Sequence, residues 1–512
     1  MVRTVLFGVL LFLLGGCAVI PVPLTSEEIK EQAEKDKAQL TKDQEAVTGP
    51  ISLYEAIARA LSYNLDLRLE LAKKVLSERE LDLTRYEQLP DFVASSAYNG
   101  RSNFSGATSR SLLTGTQSLE SSTSSERDIF THNLNLTWSI LDFGVSYFRA
   151  QQAADRVLIT EEQKRKIINN IIQDVRTAYW RAVSNDRLIL QMESLIIRVK
   201  DAIKESKQIE YEKLEKPLTA LTYQRELIGI KRELEELQRE LSLAKIQLAS
   251  LMNLRPNQDY ELVIPERTNE IRTLGYTPQL MEQLALENRS ELREVTYQKR
   301  INSKEIKTAM LELLPGINLN MGGSNSSNDF LFNNDWLTYG AQISWNLLNV
   351  FKLPATKRVI KAQELLLDAR RMALSMAILT QINVSIAQHE HAKKEYRTAA
   401  DYHKTQQDIL EQIRLSEQAK SISEQAVIRE EMNALVADVK YDIAYADLEN
   451  AYANAYAAVG TDPLSIDANL SDLEELTDSI RQHFESISQN NLDFSMRFDS
   501  VSKINDSGSV FY

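Results

Sequence analysis

The sequence predicts a mainly α-helical protein with a small β part, and three observations lead to this fold class. The 512 residues contain 16 Gly and 11 Pro, which favours long uninterrupted elements over a loop-rich fold. Helical periodicity continues over runs of about sixty residues, far above the usual helix length. Four short segments instead alternate apolar and polar residues, as strands with one apolar and one polar face do.

The N-terminal segment has the features of a lipoprotein signal peptide. Arg3 precedes an apolar run from Val5 to Leu14, which is too short to cross a bilayer. The residues LGGC that end at Cys17 resemble a bacterial lipobox, which implies cleavage before Cys17 and lipid attachment to it. A plain signal peptide with a chance Cys is the alternative. We expect a signal peptide at 1–16 and a lipidated tether at 17–50.

From Ile51 onward the sequence contains a twofold repeat with a period of about 225 residues. ALSYNLDLR at 60–68 corresponds to ALENRSELR at 285–293, and LNLTWSILDFG at 134–144 corresponds to GAQISWNLLNVF at 340–351. Each half reads helix, β-hairpin, long helix, helix. The predicted first repeat spans 51–270, the second spans 271–465, and an acidic tail at 466–512 follows.

The predicted boundaries rest on turn signals and periodicity. Pro90 should end the first helix, and Pro354 is a good first-turn residue. In the first repeat we predict a helix at 53–89, hairpin strands at 91–100 and 129–141, and a long helix at about 145–208. In the second repeat we predict strands at 316–323 and 335–348 and a long helix at about 354–417. The hairpins as units span 91–141 and 316–348.

The strands are two-faced. Apolar residues at alternate positions are separated by Asn, Gln, Ser and Thr; the predicted apolar-face residues are Leu134, Leu136, Trp138, Ile140, Ile343 and Trp345. A soluble sandwich would bury these faces together, whereas a transmembrane barrel would turn them to lipid and the polar faces to water. The hydrophilic partner faces, the strand lengths and the Trp residues near the strand ends favour the barrel.

Four strands cannot close a barrel, because the smallest barrels need about eight. Open sheet edges are not tolerated in lipid. The strands of two, three or four subunits would therefore combine into about 8, 12 or 16 strands. The pattern alone leaves these three assemblies open.

The lipobox, the repeat, the WSILDFG and WNLLNVF junctions and the very long helices together resemble the TolC-like outer-membrane efflux proteins, in particular their lipoprotein branch. This resemblance implies a homotrimer with a shared 12-stranded barrel in the outer membrane and a helical tunnel through the periplasm. It also implies a periplasmic adaptor and an inner-membrane transporter of the RND, ABC or MFS type as partners. The polar loops 101–127 and 324–334 would be extracellular, and the helical turns near 209–217 and 418–423 would form the periplasmic tip.

Three residues at the tip match the family's turn pattern. In SEQAKSISEQAV, Lys420 falls on the basic position, Ile422 on the Ile position and Glu424 on the first acidic position. The resemblance implies that three copies of Glu424 would narrow the pore and favour cations. Val427 replaces the second acidic residue, and Gln418 replaces the turn Gly, so this match is incomplete. An ordinary exposed helical Glu is the alternative.

The sequence offers no catalytic constellation, so we expect a passive channel and no enzyme, cofactor or metal site. His389 and His391 are two residues apart and point to different helix faces. A net charge of −13 argues against a nucleic-acid partner. The rival hypothesis is a lipid-anchored periplasmic coiled-coil scaffold with a small soluble β-domain. We expect the acidic tail to be partly disordered or wrapped around the tunnel. The sequence does not identify the substrate.

Overall fold

The computed structural model describes residues 21–40, 42, 44–212, 216–255, 258–267, 271–419, 422, 424–461, 470 and 472–489. The predicted signal peptide, Cys17, Lys420 and the end of the acidic tail lie outside these residues. The first-repeat elements are α1 (Ser26–Gln39), α2 (Leu53–Tyr63), α3 (Leu65–Tyr86), β1 (Asp91–Gly100), β2 (Asp128–Ser139), α4 (Ile140–Tyr211) and α5 (Pro217–Leu251). The elements that follow are α6 (Pro278–Asn288), α7 (Ser290–Leu311), β3 (Gly316–Ser326), β4 (Asp335–Ser344), α8 (Asn349–Gln418), α9 (Glu424–Val459) and α10 (Leu473–Ser488).

The fold class is confirmed: long helices dominate, and the four strands form one antiparallel sheet in the order β1-β2-β3-β4. Helix α4 has 72 residues and helix α8 has 70, which corresponds to a length of about 105 Å each. The pairing of β2 with β3 joins the two repeats into a single sheet. The two repeats therefore share one sheet at one end of a long helical layer.

The single helix predicted at 53–89 is wrong, because Asn64 divides it into α2 and α3. Asn64 has extended backbone angles, and its side-chain oxygen accepts hydrogen bonds from the amides of Asp66 (2.9 Å) and Leu67 (3.3 Å). This is an N-cap that starts a new helix. Arg289 separates α6 from α7 with almost the same angles, φ −64 and ψ 129 against φ −62 and ψ 129. The break is thus a feature of the repeat.

Helix α8 begins at Asn349, before the predicted start at Pro354, which lies inside the helix. Proline removes one backbone donor, and this costs least close to the helix start. At the other end, α8 reaches Gln418 and α4 reaches Tyr211, so both long helices end within a few residues of the predicted turns.

Helices α4, α5 and α9 pack through a continuous apolar seam. Leu227, Ile230 and Leu234 of α5 are buried in one apolar cluster with residues of α4 and α9. The leucines of α5 recur at spacings of three and four, which keeps them on one helix face. The seam therefore holds the half of the long helices that lies away from the sheet.

A second core surrounds the middle of the long helices and includes part of the acidic tail. Tyr179 and Trp180 of α4 lie in this core with Ile57 of α2, and Leu476 and Ile480 of α10 are buried beside them. Residues 473–488 thus form an amphipathic helix that closes over the core. The sequence left two possibilities for the tail, partial disorder or packing around the helices. Residues 473–488 pack around the helices.

Candidate functional site

The candidate site is the four-stranded sheet, whose register places its apolar residues on one face. Residues directly opposite in an antiparallel pair share a face. Leu136 lies opposite Phe92 on one side and Met321 on the other, and Met321 in turn lies opposite Tyr339. The apolar face, as defined by this register, comprises Phe92, Ala94, Tyr98, Phe130, Leu134, Leu136, Trp138, Ile317, Leu319, Met321, Leu337, Tyr339, Ala341 and Ile343.

The apolar face is uncovered in the single chain. Leu134 is 46% exposed, Met321 58%, Ile343 71% and Tyr339 88%. A contiguous exposed apolar surface of this size marks a contact with lipid or with another protein. The polar pair Ser96 and His132 interrupts the face towards the far end of β1 and β2.

The opposite face, here called the polar face, is mainly hydrophilic. It carries Asn133, Asn135, Thr137, Asn318, Asn320, Thr338 and Gln342. A Cβ placed on Gly322 would overlap the Asn135 side chain and lie 2.8 Å from the Leu134 carbonyl oxygen, whereas one on Gly323, on the apolar face, would lie 3.8 Å from Leu337. Side chains therefore converge on the polar face, and glycine makes room for asparagine there.

The strand-to-helix junction corrects two predicted positions. Ile140 is the first residue of α4, because the Ser139 hydroxyl caps the helix by accepting a hydrogen bond from the Asp142 amide (3.3 Å). Trp345 lies just beyond β4, which ends at Ser344, and its indole Nε1 donates to the Leu313 carbonyl oxygen at 2.9 Å. Ile140 and Trp345 therefore lie outside the strands, and both are exposed at the helix-proximal rim of the sheet.

The remaining predicted residues lie as follows. Leu134, Leu136, Trp138 and Ile343 are on the apolar face. Glu424 is the first residue of α9. Cys17 and Lys420 lie outside the described residues.

The sheet and the helical layer have matching free edges. The strand order leaves β1 and β4 at the two edges of the sheet. Beneath the sheet, α3 contacts α4, α4 contacts α7, and α7 contacts α8, so α3 and α8 are the corresponding outer helices. Both expose apolar side chains: Leu69, Val75, Leu76 and Leu83 on α3, and Val359, Leu365, Leu366, Met372 and Met376 on α8. The sequence pattern did not reveal these stripes, because their positions also fit an ordinary helix core.

The loops at the far end of the sheet are ordered by their own hydrogen bonds. The Ala107 amide donates to the Ser122 carbonyl oxygen at 2.9 Å, which extends the first hairpin beyond β1 and β2. Asn328 joins the two hairpins, since its Oδ1 accepts from the Glu126 amide (3.1 Å) and its Nδ2 donates to the Ser124 carbonyl oxygen (3.3 Å). Both polar loops thus form one cap at the end of the sheet opposite the helices.

A buried charge cluster joins the helices near their middle. The Asp442 carboxylate is almost fully buried and pairs with Arg187 and with the Arg267 guanidinium at 2.5 Å; Arg267 also reaches Asp438 at 2.9 Å. The cluster ties α4 and α9 to the segment 258–267. Sequence reasoning missed it, because each Arg is 171 to 255 residues from the Asp with which it pairs.

The two histidines are not brought together for ligation. His389 is fully buried against Tyr452, with ring centroids 5.7 Å apart, and burial lowers its pKa. His391 is exposed. Within the described ranges, no three His, Cys, Asp or Glu side chains are placed to hold a metal ion. In the same part of the chain, none of the helices combines the length and the apolar character that crossing a membrane requires.

Comparison with solved structures identifies the fold. The chain is similar to the Campylobacter jejuni CmeC outer membrane channel, with a TM-score of 0.61, 16% identity, and coverage of 86% of this chain and 90% of that one. It is similar to CusC, whose structures concern folding and transmembrane channel formation, with a TM-score of 0.60, 16% identity, and coverage of 82% and 96%. It is also similar to the open state of the Neisseria gonorrhoeae MtrE outer membrane channel, with a TM-score of 0.59, 14% identity, and coverage of 82% and 94%.

The chain therefore has the fold of the bacterial outer membrane channels. The predicted resemblance to the TolC-like proteins is confirmed at the level of this fold. No protein-family model and no curated protein sequence matches the chain.

Proposed function

We propose that the protein is the outer-membrane channel of a tripartite efflux or type I export system, and a passive conduit rather than an enzyme. The observation that carries this proposal is the register of the sheet, which separates an uncovered apolar face from a polar face. The apolar face would contact lipid, and the polar face would contact water. The sheet then lies in the outer membrane, and the helices form a tunnel in the periplasm.

A homotrimer fits the free edges. Three copies of the four-stranded sheet supply twelve strands, and pairing β1 of one protomer with β4 of the next leaves no edge open to lipid. The same rotation brings the exposed apolar stripe of α3 against that of α8 in the neighbouring protomer. One head-to-tail arrangement therefore satisfies both layers.

Lipidation at Cys17 is supported by the reach of the tether. The Asn253 side chain donates to the Leu40 carbonyl oxygen at 2.9 Å, which fixes the tether at Leu40 beside the end of α5. Asn64 donates to Leu251 there, so the 22-residue helix α3 places the sheet about 33 Å above this point. Helix α1 with the nine residues before it spans about 50 Å when extended. Acyl chains on Cys17 can thus reach the inner leaflet of the outer membrane.

The far ends of the long helices form the proposed periplasmic tip. Helices α4 and α8 place the turns before α5 and α9 about 105 Å from the sheet. We propose that Glu424, at the start of α9, and Lys420 lie around the pore constriction. An adaptor protein and an inner-membrane transporter of the RND, ABC or MFS type would dock at this end and determine the substrate.

The rival function, a periplasmic scaffold, differs in the location of the loops 101–127 and 327–334. Protease added to intact cells should cleave at 101–127 if the protein spans the outer membrane. The engineered control is a cleavage site in the α4–α5 turn at 212–217, which should be cut only after the outer membrane is permeabilised. Protection of both sites in intact cells would support the scaffold and contradict the channel.

A further inference from the structure

A basic groove lies on helix α7 close to the sheet. Its volume is about 460 Å³, and it is lined by Thr296, Lys299, Arg300, Ser303, Lys304, Lys307 and Arg371. All of these residues except Arg371, which belongs to α8, lie on α7. Five of the seven are cationic, in a chain whose net charge is −13.

Charge is segregated between the two free faces of α7. Arg300, Ser303 and Lys307 recur at spacings of three and four and share one face, whereas Glu294, Gln298, Glu305 and Glu312 share the opposite face. Arg370 of α8 pairs with Glu294 on that acidic side. The groove therefore presents only one of the two charged faces of this helix.

The basic face points away from the proposed tunnel. Lys304 and Glu305 reach α4, through Asp155 and Gln152, while Asn302 reaches α8 through the Ile360 carbonyl oxygen. At 100° per residue, the two neighbouring helices lie about 110° apart across the acidic face and about 250° apart across the basic face. The smaller angle marks the concave side of the layer, so the basic groove opens on the convex side.

The cations are least neutralised at the end nearest the sheet. Arg300 and Lys304 share the buried Asp155, at 2.7 and 2.5 Å, and Lys299 pairs with Asp368 at 2.5 Å. Lys307 has no carboxylate partner within the described part of the chain and lies over the Phe148 ring at 5.5 Å. Lys307 is four residues from the end of α7, or about 6 Å along the axis. The open end of the groove therefore carries an unneutralised charge at headgroup depth.

The corresponding helix of the first repeat, α3, does not carry these basic residues at the matching positions. With the repeat offset of about 225 residues, Arg300, Ser303 and Lys307 correspond to Val75, Glu78 and Asp82 of α3. A basic face is thus not required by the helical layer itself. Some property of the second repeat, other than packing, accounts for it.

We propose that the basic groove binds the phosphate of an anionic phospholipid, such as phosphatidylglycerol, in the inner leaflet of the outer membrane. This inference rests on the proposed membrane position of the sheet. Acyl chains would lie along the apolar face above, and the phosphate would enter at Lys307, with Arg300 and Ser303 deeper in the groove. Clustered cations next to a membrane-spanning segment attract anionic lipid in this way.

The test uses the full-length protein in detergent, with native mass spectrometry to count bound lipids. Phosphatidylglycerol and phosphatidylethanolamine with the same acyl chains are titrated separately, and inorganic phosphate is added as a competitor. The variant K307Q/R300Q leaves Lys304 paired with Asp155. The matched control is R79Q/R85Q on α3, which removes the same charge at a similar depth from residues that both pair with Asp82.

We expect the wild type and R79Q/R85Q to prefer phosphatidylglycerol, and K307Q/R300Q to bind it about tenfold or more weakly, since each of the two cations near a membrane surface contributes roughly a fivefold effect. Equal binding of the two lipids by the wild type, or loss of less than twofold in K307Q/R300Q, would overturn the proposal. Displacement of the lipid by millimolar phosphate would overturn it too, in favour of a free-anion site.

The same preparations are then inserted into planar bilayers of zwitterionic lipid. If the wild type and K307Q/R300Q both conduct but the wild type shows no preference for phosphatidylglycerol, only the proposal about the groove is refuted. A wild type that binds phosphatidylglycerol selectively but never conducts would refute the channel function instead.

Discussion

Replacing Leu134 by Arg should block membrane assembly, whereas replacing the adjacent Asn135 by Arg should not. Leu134 lies on the apolar face, opposite Ala94 and Gly323, and Asn135 lies on the polar face, opposite Val93 and Gly322. A strand tilted by about 40° rises roughly 2.6 Å per residue along the membrane normal. Leu134 is five residues from the end of β2, hence about 13 Å from the rim and close to the midplane of a 25 Å apolar band.

Arginine at the midplane of a barrel's lipid face costs about 2–4 kcal/mol. Three copies in a trimer would therefore cost about 6–12 kcal/mol. Leu136→Arg should cost less per copy than Leu134→Arg, because it lies two residues nearer the rim. Asn135→Arg faces water and should cost less than about 1 kcal/mol.

The assay is folding of purified protein into lipid vesicles across a urea titration, with the inserted fraction read from resistance to protease. The order of destabilisation should be Leu134→Arg, then Leu136→Arg, then Asn135→Arg. Equal loss of insertion for Leu134→Arg and Asn135→Arg would show that the two faces of β2 do not differ in environment, which would refute the reasoning from register.

Three further predictions concern the rest of the molecule. Gly322→Val should lower the yield of assembled protein, because its side chain would collide with Asn135, whereas Gly323→Val, which has room at 3.8 Å from Leu337, should be tolerated; equal yields would contradict the packing of the polar face. Asp442→Ala should lower the free energy of unfolding by about 3 kcal/mol by leaving Arg187 without a carboxylate partner, while Arg267 keeps Asp438. Asp478→Ala, at an exposed pair with Arg481, should cost under about 1 kcal/mol in the same urea titration. Burial lowers the pKa of His389 below its unfolded value of about 6.5, so the unfolded chain takes up the extra proton and stability falls as the pH drops below about 6.5. The melting temperature should therefore fall less between pH 7.5 and 5.5 in His389→Phe than in the wild type or in His391→Phe, and an equal fall in all three would rule out this contribution.

Local patterns made much of the fold predictable. The alternation Leu134, Asn135, Leu136, Thr137, Trp138 follows from the two-residue period of a strand, and it fixes which side chains share a face. Most of each long helix follows from the absence of Gly and Pro over residues 145–208 and 355–417, which is also a local property. Because the two halves of the chain are repeats, both conclusions apply to the second half as well as to the first.

The features that were missed depend on contacts that the sequence does not state. Asn64 and Arg289 read as ordinary helix residues, yet both have extended backbone angles in the packed structure. Ile140 continues the strand alternation, yet the Ser139 cap already places it in α4. The Asp442 cluster and the basic groove each join residues from several helices, so they are visible only once the helices are packed.

Single-channel recording of the purified chain in a planar bilayer tests the central claim most directly. Discrete conductance steps are expected, and Glu424→Ala should raise the conductance or the open fraction by widening the proposed constriction. Protein that inserts into the bilayer but gives no steps above the lipid background, in both the wild type and Glu424→Ala, would contradict the account.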